Sequence, residues 1–437
     1  MYTTLVQNHQ QQSSGNRNLR NTNILLALAV ALGVSSCTPK ATVLRSPDYQ
    51  GNVVGGSKGT TDAATAAKQA EILAAEKAAE KKKLASRTIS LLLPFQLQQL
   101  NQDQIQDSDV KRSALALDFY QGFQYGLEHL ATKGESFRLN TLDSRDNAFH
   151  VGTLATSEDV QESAVIVGPV YPQEIKSFGA KFVNKDVLQI NPLAASPASD
   201  FSIPNLVSIT PSIKSHTNAI ATRVAREWYT GDVIIIYNTS DADSRQYLTG
   251  MMAAIKQQKA KVNIISVSTL AQLNEQLSLT GTNFVVSGTT DKTQLNALVS
   301  NLIKKYGENY YSIRLFGHPL WDRFDFSLYP TFSSLSPIIS TESSLKNWTS
   351  AVKNFKDTYY NKYGVYPSDQ SYKGYDVAVF FGGLLNKYGA DNFKDKLTTE
   401  TYQGIFNTYK FNYNESWGYT NESVSFKEFR SGSFQLQ

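Results

Sequence analysis

From residue 88 onward the chain repeats one pattern: a short apolar run, a turn, then a longer segment of helical period. Residues 88–94, 163–169, 232–237 and 283–287 are runs rich in Val, Ile, Leu and Phe with little polar alternation, the composition of strands buried on both faces. Between the first of them, residues 113–130 place Leu117, Tyr120, Tyr125, Leu127 and Leu130 on one helical stripe. Residues 216–229, 244–258 and 295–306 also read as helices. A parallel strand pair needs a crossover of about a dozen residues, usually a helix. The alternation therefore dictates parallel sheets with helices on both faces.

The rhythm runs from Thr88 to Ile209 and restarts after Pro211. Two such sets predict an α/β chain of two doubly wound parallel-sheet lobes with a hinge and a central cleft. Extended stretches near 205–210 and 336–341 are the expected crossings between lobes. Helices follow at 345–363 and 371–388, then a hairpin of 406–413 with 424–429. The expected division is 88–209 plus 341–403 for the first lobe and 210–340 plus 404–437 for the second.

The residues before 88 read differently. Residues 1–23 carry Arg17 and Arg20 and no acid, and an apolar run from Ile24 to Val34 leads into Ser35-Ser36-Cys37. A basic start, a short apolar core and small residues before a cleavage point make residues 1–36 a secretory signal. Eleven helical residues span about 16 Å, too short for roughly 30 Å of hydrocarbon. Val34-Ser35-Ser36-Cys37 resembles a bacterial lipobox, which implies a lipid on Cys37, the chain's one cysteine. Residues 37–61, with Pro39, Pro47 and four glycines, read as a flexible tether. Residues 62–87 are rich in Ala, Glu and Lys and read as a helical stalk, either a solvated spacer of about 40 Å or a coiled-coil element.

Composition removes several functions. The net charge of +4 belongs to the signal and stalk; residues 88–437 hold 31 basic and 33 acidic residues, so nucleic acid has no electrostatic call on the folded part. One cysteine and five histidines argue against a metal centre. No nucleophile elbow, zinc-protease helix, phosphate loop or dinucleotide fingerprint occurs, so no catalytic residue and no cofactor are expected.

Several stretches in order resemble the type I periplasmic binding protein superfamily, the fold of branched-chain amino-acid receptors. They are Leu91-Leu92-Leu93-Pro94-Phe95, Phe119-Tyr120-Gln121-Gly122-Phe123, Val167-Gly168-Pro169-Val170-Tyr171, Ile190-Asn191-Pro192-Leu193-Ala194-Ala195-Ser196 and Lys373-Gly374-Tyr375-Asp376. Penicillin-binding protein activator lipoproteins and LysM-linked Bacteroidetes-type proteins look nearest, the latter through Phe316-Gly317-His318-Pro319-Leu320-Trp321 and Gly418-Tyr419-Thr420-Asn421. The resemblance implies a lipid-anchored, non-enzymatic solute-binding protein of the periplasm. Its ligand would be small and polar, amino-acid or peptide-like, and its role that of a transport receptor or sensor. The alternative is an envelope scaffold or activator of peptidoglycan synthesis, its partner a transporter or a synthase. Thr38, where an aspartate would retain some lipoproteins in the inner membrane, points to the outer one. One departure stands out: Val170-Tyr171-Pro172-Gln173 lacks the hydroxyl pair that holds a ligand carboxylate in amino-acid receptors.

In open α/β sheets ligands bind beyond the carboxyl ends of the strands. The candidate ligand residues are therefore Phe95, Tyr171, Gln173, Leu193, Ala194 and Ser196 on the first lobe, and Asn238, Thr239, Ser287, Thr289, His318 and Trp321 on the second. Each also has a structural reading as a loop or helix cap. The aromatic stretch 318–332 reads as a loop packed onto the second lobe, as a cleft wall, or as an exposed patch for a protein partner.

Overall fold

The computed structural model describes residues 42–44, 71–75, 79, 86–101, 103–308 and 311–437. The signal, Cys37 and most of the expected tether and stalk lie outside these residues. Within the stalk, residues 71–75 are helical.

The chain begins with strand β1 (Thr42–Leu44), then β2 (Thr88–Leu93), β3 (Phe137–Asp143), β4 (Val165–Val167), β5 (Leu188–Asn191) and β6 (Leu206–Ser208). After helix Ile213–Glu227 come β7 (Val233–Tyr237), β8 (Ile264–Val267), β9 (Thr282–Ser287), β10 (Ser312–Gly317) and β11 (Ile338–Thr341). Two long helices, Ser350–Tyr363 and Asp369–Tyr388, precede β12 (Thr401–Gln403), β13 (Thr408–Asn414), β14 (Gly418–Asn421), β15 (Ser425–Arg430) and β16 (Ser433–Leu436).

The strands form two sheets, ordered β1-β3-β2-β4-β5-β6-β14-β13-β12 and β16-β15-β11-β10-β9-β7-β8. Their centres are parallel, as the apolar runs require: β2, β4 and β5 are buried throughout. An antiparallel strand closes one edge of each sheet, β1 on β3 and β16 on β15. The first unit comprises residues up to 210 with 347–406 and 410–421; the second comprises 211–346, 407–409 and 422–437.

The C-terminal tail departs from expectation. Residues 406–413 and 424–429 do not pair with each other. β13 turns back into β14, and β14 joins the first sheet through Tyr419 opposite Val207; β15 turns back into β16 in the second sheet. Residues 410–421 thus belong to the first unit, where 404–437 was expected in the second, and residues 341–346 belong to the second. The expected helix over 244–258 is two, Ala242–Leu248 and Met251–Gln258, because Gly250 at φ +79° breaks the period. Residues 42–44, expected within the flexible tether, form β1.

In the first unit, helix Asp107–Ala131 packs on helix Asp369–Tyr388 at bare backbone. A Cβ on Gly122 would lie 1.9 Å from the Ser371 carbonyl oxygen, and one on Gly374 2.1 Å from that of Phe119. Asp376, buried beside this crossing, accepts hydrogen bonds from the N–H groups of Ile405 (3.0 Å) and Phe406 (2.8 Å) and from the Tyr402 hydroxyl (3.1 Å). The Gly374-Tyr375-Asp376 motif is therefore architectural. In the second unit the aromatic stretch joins the core: Trp321, Phe326 and Phe332 pack with Phe429 and Phe434.

Candidate functional site

In the first unit the carboxyl ends of β2 and β3 carry three non-glycine residues at positive φ: Gln96 (56°), Arg145 (62°) and Asp146 (50°). Such backbone is held only where the surroundings impose it, and it gathers at functional loops. Asp143, the last residue of β3, holds two of the three, Gln96 and Arg145. Its carboxylate accepts from the N–H groups of Gln96 (3.0 Å), Leu97 (2.8 Å) and Arg145 (2.9 Å).

Next to these loops, helix Pro172–Lys181 begins with Tyr171 as its N-cap and Pro172 at its first position. Glu174, buried in the first turn, accepts hydrogen bonds from the N–H groups of Asn147 (3.1 Å) and Tyr171 (3.4 Å). Burial pushes its pKa up to about 7, and the charge of Asp146 adds to the rise; the Ser144 hydroxyl and the two N–H groups oppose it. Burial, followed by Asp146 and Glu174, pushes the Tyr171 phenol to about 12. A partly protonated buried acid, a second acid and a phenol thus meet at one helix start.

The other first-unit candidates divide. Gln173 is exposed and Ser196 half-buried, and neither side chain makes a hydrogen bond among the described residues. Leu193 and Ala194 are half-buried in a loop fixed by Asn191, whose side chain bonds both the N–H and the carbonyl of Ala194 at 2.9 Å. Phe95 is in the core, edge-on to Tyr120, with its carbonyl accepting from the Ser113 hydroxyl at 2.6 Å. At Gly168, φ +99°, a Cβ would strike the Leu92 carbonyl oxygen at 2.1 Å, so β4 and β2 approach here as only glycine permits.

In the second unit all the candidates but the half-buried Asn238 face inward. Asp241 caps helix Ala242–Leu248 and gathers the Thr239 hydroxyl (2.6 Å), the Thr289 hydroxyl (2.9 Å) and the N–H groups of Ser244 (2.9 Å) and Thr290 (3.4 Å). Burial alone would raise this carboxyl; the four hydrogen bonds outweigh it and hold the pKa below the usual value. Trp321, 0% exposed, donates its indole N–H to the Thr289 carbonyl at 2.7 Å. Ser287 accepts from the Thr289 N–H at 3.4 Å, and Asn238 donates to the Ser266 hydroxyl at 2.6 Å. His318 accepts from the Leu320 N–H at 3.1 Å and lies edge-on to Tyr247. Thr239, Ser287, Thr289, His318 and Trp321 are all buried. These groups hold the loops to one another.

Sequence reasoning named Tyr171 and Gln173 but passed over Glu174, Asp143, Arg145 and Asp146. Proline at the first helical position with Glu two residues on was a visible helix-start signal for Glu174. Among the described residues no group of three or more His, Cys, Asp or Glu side chains could hold a metal ion, and no helix is long and apolar enough to cross a membrane.

No family model matches the sequence, and no curated protein matches it. Solved structures do. One is a Rhodospirillum rubrum protein assigned to branched-chain amino acid ABC transport, at 15% identity and a TM-score of 0.57, covering 80% of this chain and 99% of that one. Another is an ABC transporter substrate-binding protein of Desulfitobacterium hafniense, at 14% identity and a TM-score of 0.51, with the same coverage. The fold is that of the type I periplasmic binding proteins.

Proposed function

We propose that the chain is a non-enzymatic solute-binding protein of the periplasm, lipid-anchored through Cys37, acting as a transport receptor or sensor. The observation that carries this reading is the strand-end face of the first unit. Strained loops there surround a buried acid, while Gln173 and Ser196 keep unspent hydrogen-bonding capacity. Fixed, partly desolvated polar groups beside aromatic surface are the ordinary means of orienting a small ligand.

Glu174 and Asp146 favour a solute that brings a cationic or hydrogen-bond-donating group, such as the ammonium of an amino acid or short peptide. The solved relatives of this fold are named for ABC transport and substrate binding, in agreement with such a role. Thr38 in place of aspartate supports the outer membrane. The test is differential scanning with amino acids, short peptides and peptidoglycan fragments. A ligand at 100 times its Kd adds about 2.7 kcal/mol of stability. No shift with any solute, together with no solute retained in native mass spectra, contradicts the reading.

A second reading, an envelope scaffold or activator of peptidoglycan synthesis, draws on the inward-facing groups of the second unit. Recovery of a synthase by the full chain from crosslinked envelopes, without any solute response, would favour it.

A further inference from the structure

Helix Ile213–Glu227 buries one face, with Ile220, Ala221, Val224 and Ala225, in the core of the second unit. Beside that face Asn218, Thr222 and Arg226 recur every four residues, so they line up along one side of the helix, and all three are exposed. Phe426 of β15, half-buried, lies across from them. Between helix and strand is an open cavity of about 300 Å³, lined by this stripe, by Arg223 and Phe426, and by Glu422. Each of these residues belongs to the second unit.

The groove is separate from the strand-end face of that unit. Glu227, the last residue of the helix, pairs with Arg314 at 2.8 Å, and Arg314 is the third residue of β10. The Arg226 end of the groove therefore lies toward the amino end of β10, whereas His318 follows its carboxyl end.

The two arginines of the groove differ. Arg223 is spent: it pairs with Glu227, donates to the Gln437 side chain at 2.9 Å and lies 5.2 Å over the Phe426 ring. Among the described residues Arg226 has no partner, and neither has the Asn218 amide. Arg223 and Arg226 against Glu422 leave the lining one positive charge, and the nearby Glu227 and Arg314 cancel. One surplus charge suits a monoanion, and Glu422 opposes a second negative charge. The planar guanidinium fork matches the two oxygens of a carboxylate. A long helical side chain lies back over the preceding turn, which brings Arg226 toward Thr222 and the ring wall. Asn218, two turns before Arg226 and about 12 Å along the axis, marks the far end.

We propose that this groove binds an organic monocarboxylate, its carboxylate held by Arg226 and its apolar body laid against Phe426. The site is independent of the first-unit face, so either can fail without the other.

The test is calorimetric titration of the full chain with 4-phenylbutyrate, its neutral amide and inorganic phosphate. The expected result is saturable binding of the carboxylate, with the amide and phosphate each at least about tenfold weaker. Arg226→Gln should weaken the carboxylate at least about tenfold. Thr222→Trp, which fills the middle of the groove from an exposed position, should abolish binding. Melting curves of both variants check that the fold is kept. No saturable binding by the parent, or parent-like affinity in Arg226→Gln or Thr222→Trp, overturns the proposal. Phosphate or the amide binding as tightly as the carboxylate overturns the assignment to monocarboxylates. Binding lost in Glu174→Gln would put the carboxylate on the first unit and overturn the proposal as well.

Discussion

Both units place an acid at a helix start beside the carboxyl ends of parallel strands, yet the two acids behave oppositely. Asp241 of the second unit is surrounded by two threonine hydroxyls and two backbone N–H groups, and its pKa falls. Glu174 of the first unit is more deeply buried, has a like charge at Asp146, and rises to about 7. Both carboxylates are met by groups of their own chain, Glu174 by the Ser144 hydroxyl and the N–H groups of Asn147 and Tyr171; what differs is the balance, hydrogen bonds prevailing at Asp241 and burial with a like charge at Glu174. A carboxyl held close to neutrality, beside unspent polar groups, is poised to respond to something from outside. The same contrast separates Trp321, whose N–H is used inside, from Gln173, whose amide is not.

This contrast can be broken by substitution. The largest effect is expected at Trp321→Ala, which removes a fully buried ring and orphans the Thr289 carbonyl. The loss should be about 3–5 kcal/mol, read as a lower urea midpoint. A loss below about 1 kcal/mol would mean that Trp321 is surface presented to a ligand. Asp241→Ala deletes a cap and the acceptor of two hydroxyls and should cost about 2 kcal/mol in the same assay.

The pH dependence separates the faces by sign. In the second unit, burial lowers His216 to about 4 and His318 to about 3, each from 6.5. Their contribution is complete above pH 6.5 and is lost as pH falls toward 4, where the unfolded chain takes up the protons. Glu174 runs the other way: raised from 4.5 to about 7, it contributes fully below pH 4.5, and that contribution is lost as pH rises through 7. Urea midpoints from pH 4 to pH 8 should therefore keep their acid limb in Glu174→Gln and lose only the decline between pH 5 and 8. The smallest effect is the stability of Glu174→Gln at pH 7, expected within about 1 kcal/mol of the parent. A loss as large as that of Asp241→Ala would make Glu174 another structural cap.

Much of the fold was open to sequence reading because burial on both faces is written locally, as in the runs at Ile89–Leu93 and Val165–Val167. The swap of β14 into the first sheet was not, since the pairing of Tyr419 with Val207 leaves no trace in either segment. β1 was missed because three residues are too few to show alternation. At the sites, polarity and loop position singled out Thr239 and Thr289, but neither property tells whether a hydroxyl turns toward solvent or toward a carboxylate. Arg145 was invisible for a related reason: the Asp143 side chain helps set its left-handed backbone, and side-chain reach is not a sequence pattern.

The most direct measurement is equilibrium binding, by calorimetry, of a solute found in the screen to the parent, Glu174→Gln and Thr289→Val, at pH 6 and pH 8. The expected result is a parent affinity that strengthens for a cationic solute from pH 6 to pH 8. Glu174→Gln should bind at least about tenfold more weakly at pH 8, without that pH dependence, and Thr289→Val should bind like the parent. Full affinity in Glu174→Gln with binding lost in Thr289→Val would contradict the assignment of the binding face to the first unit.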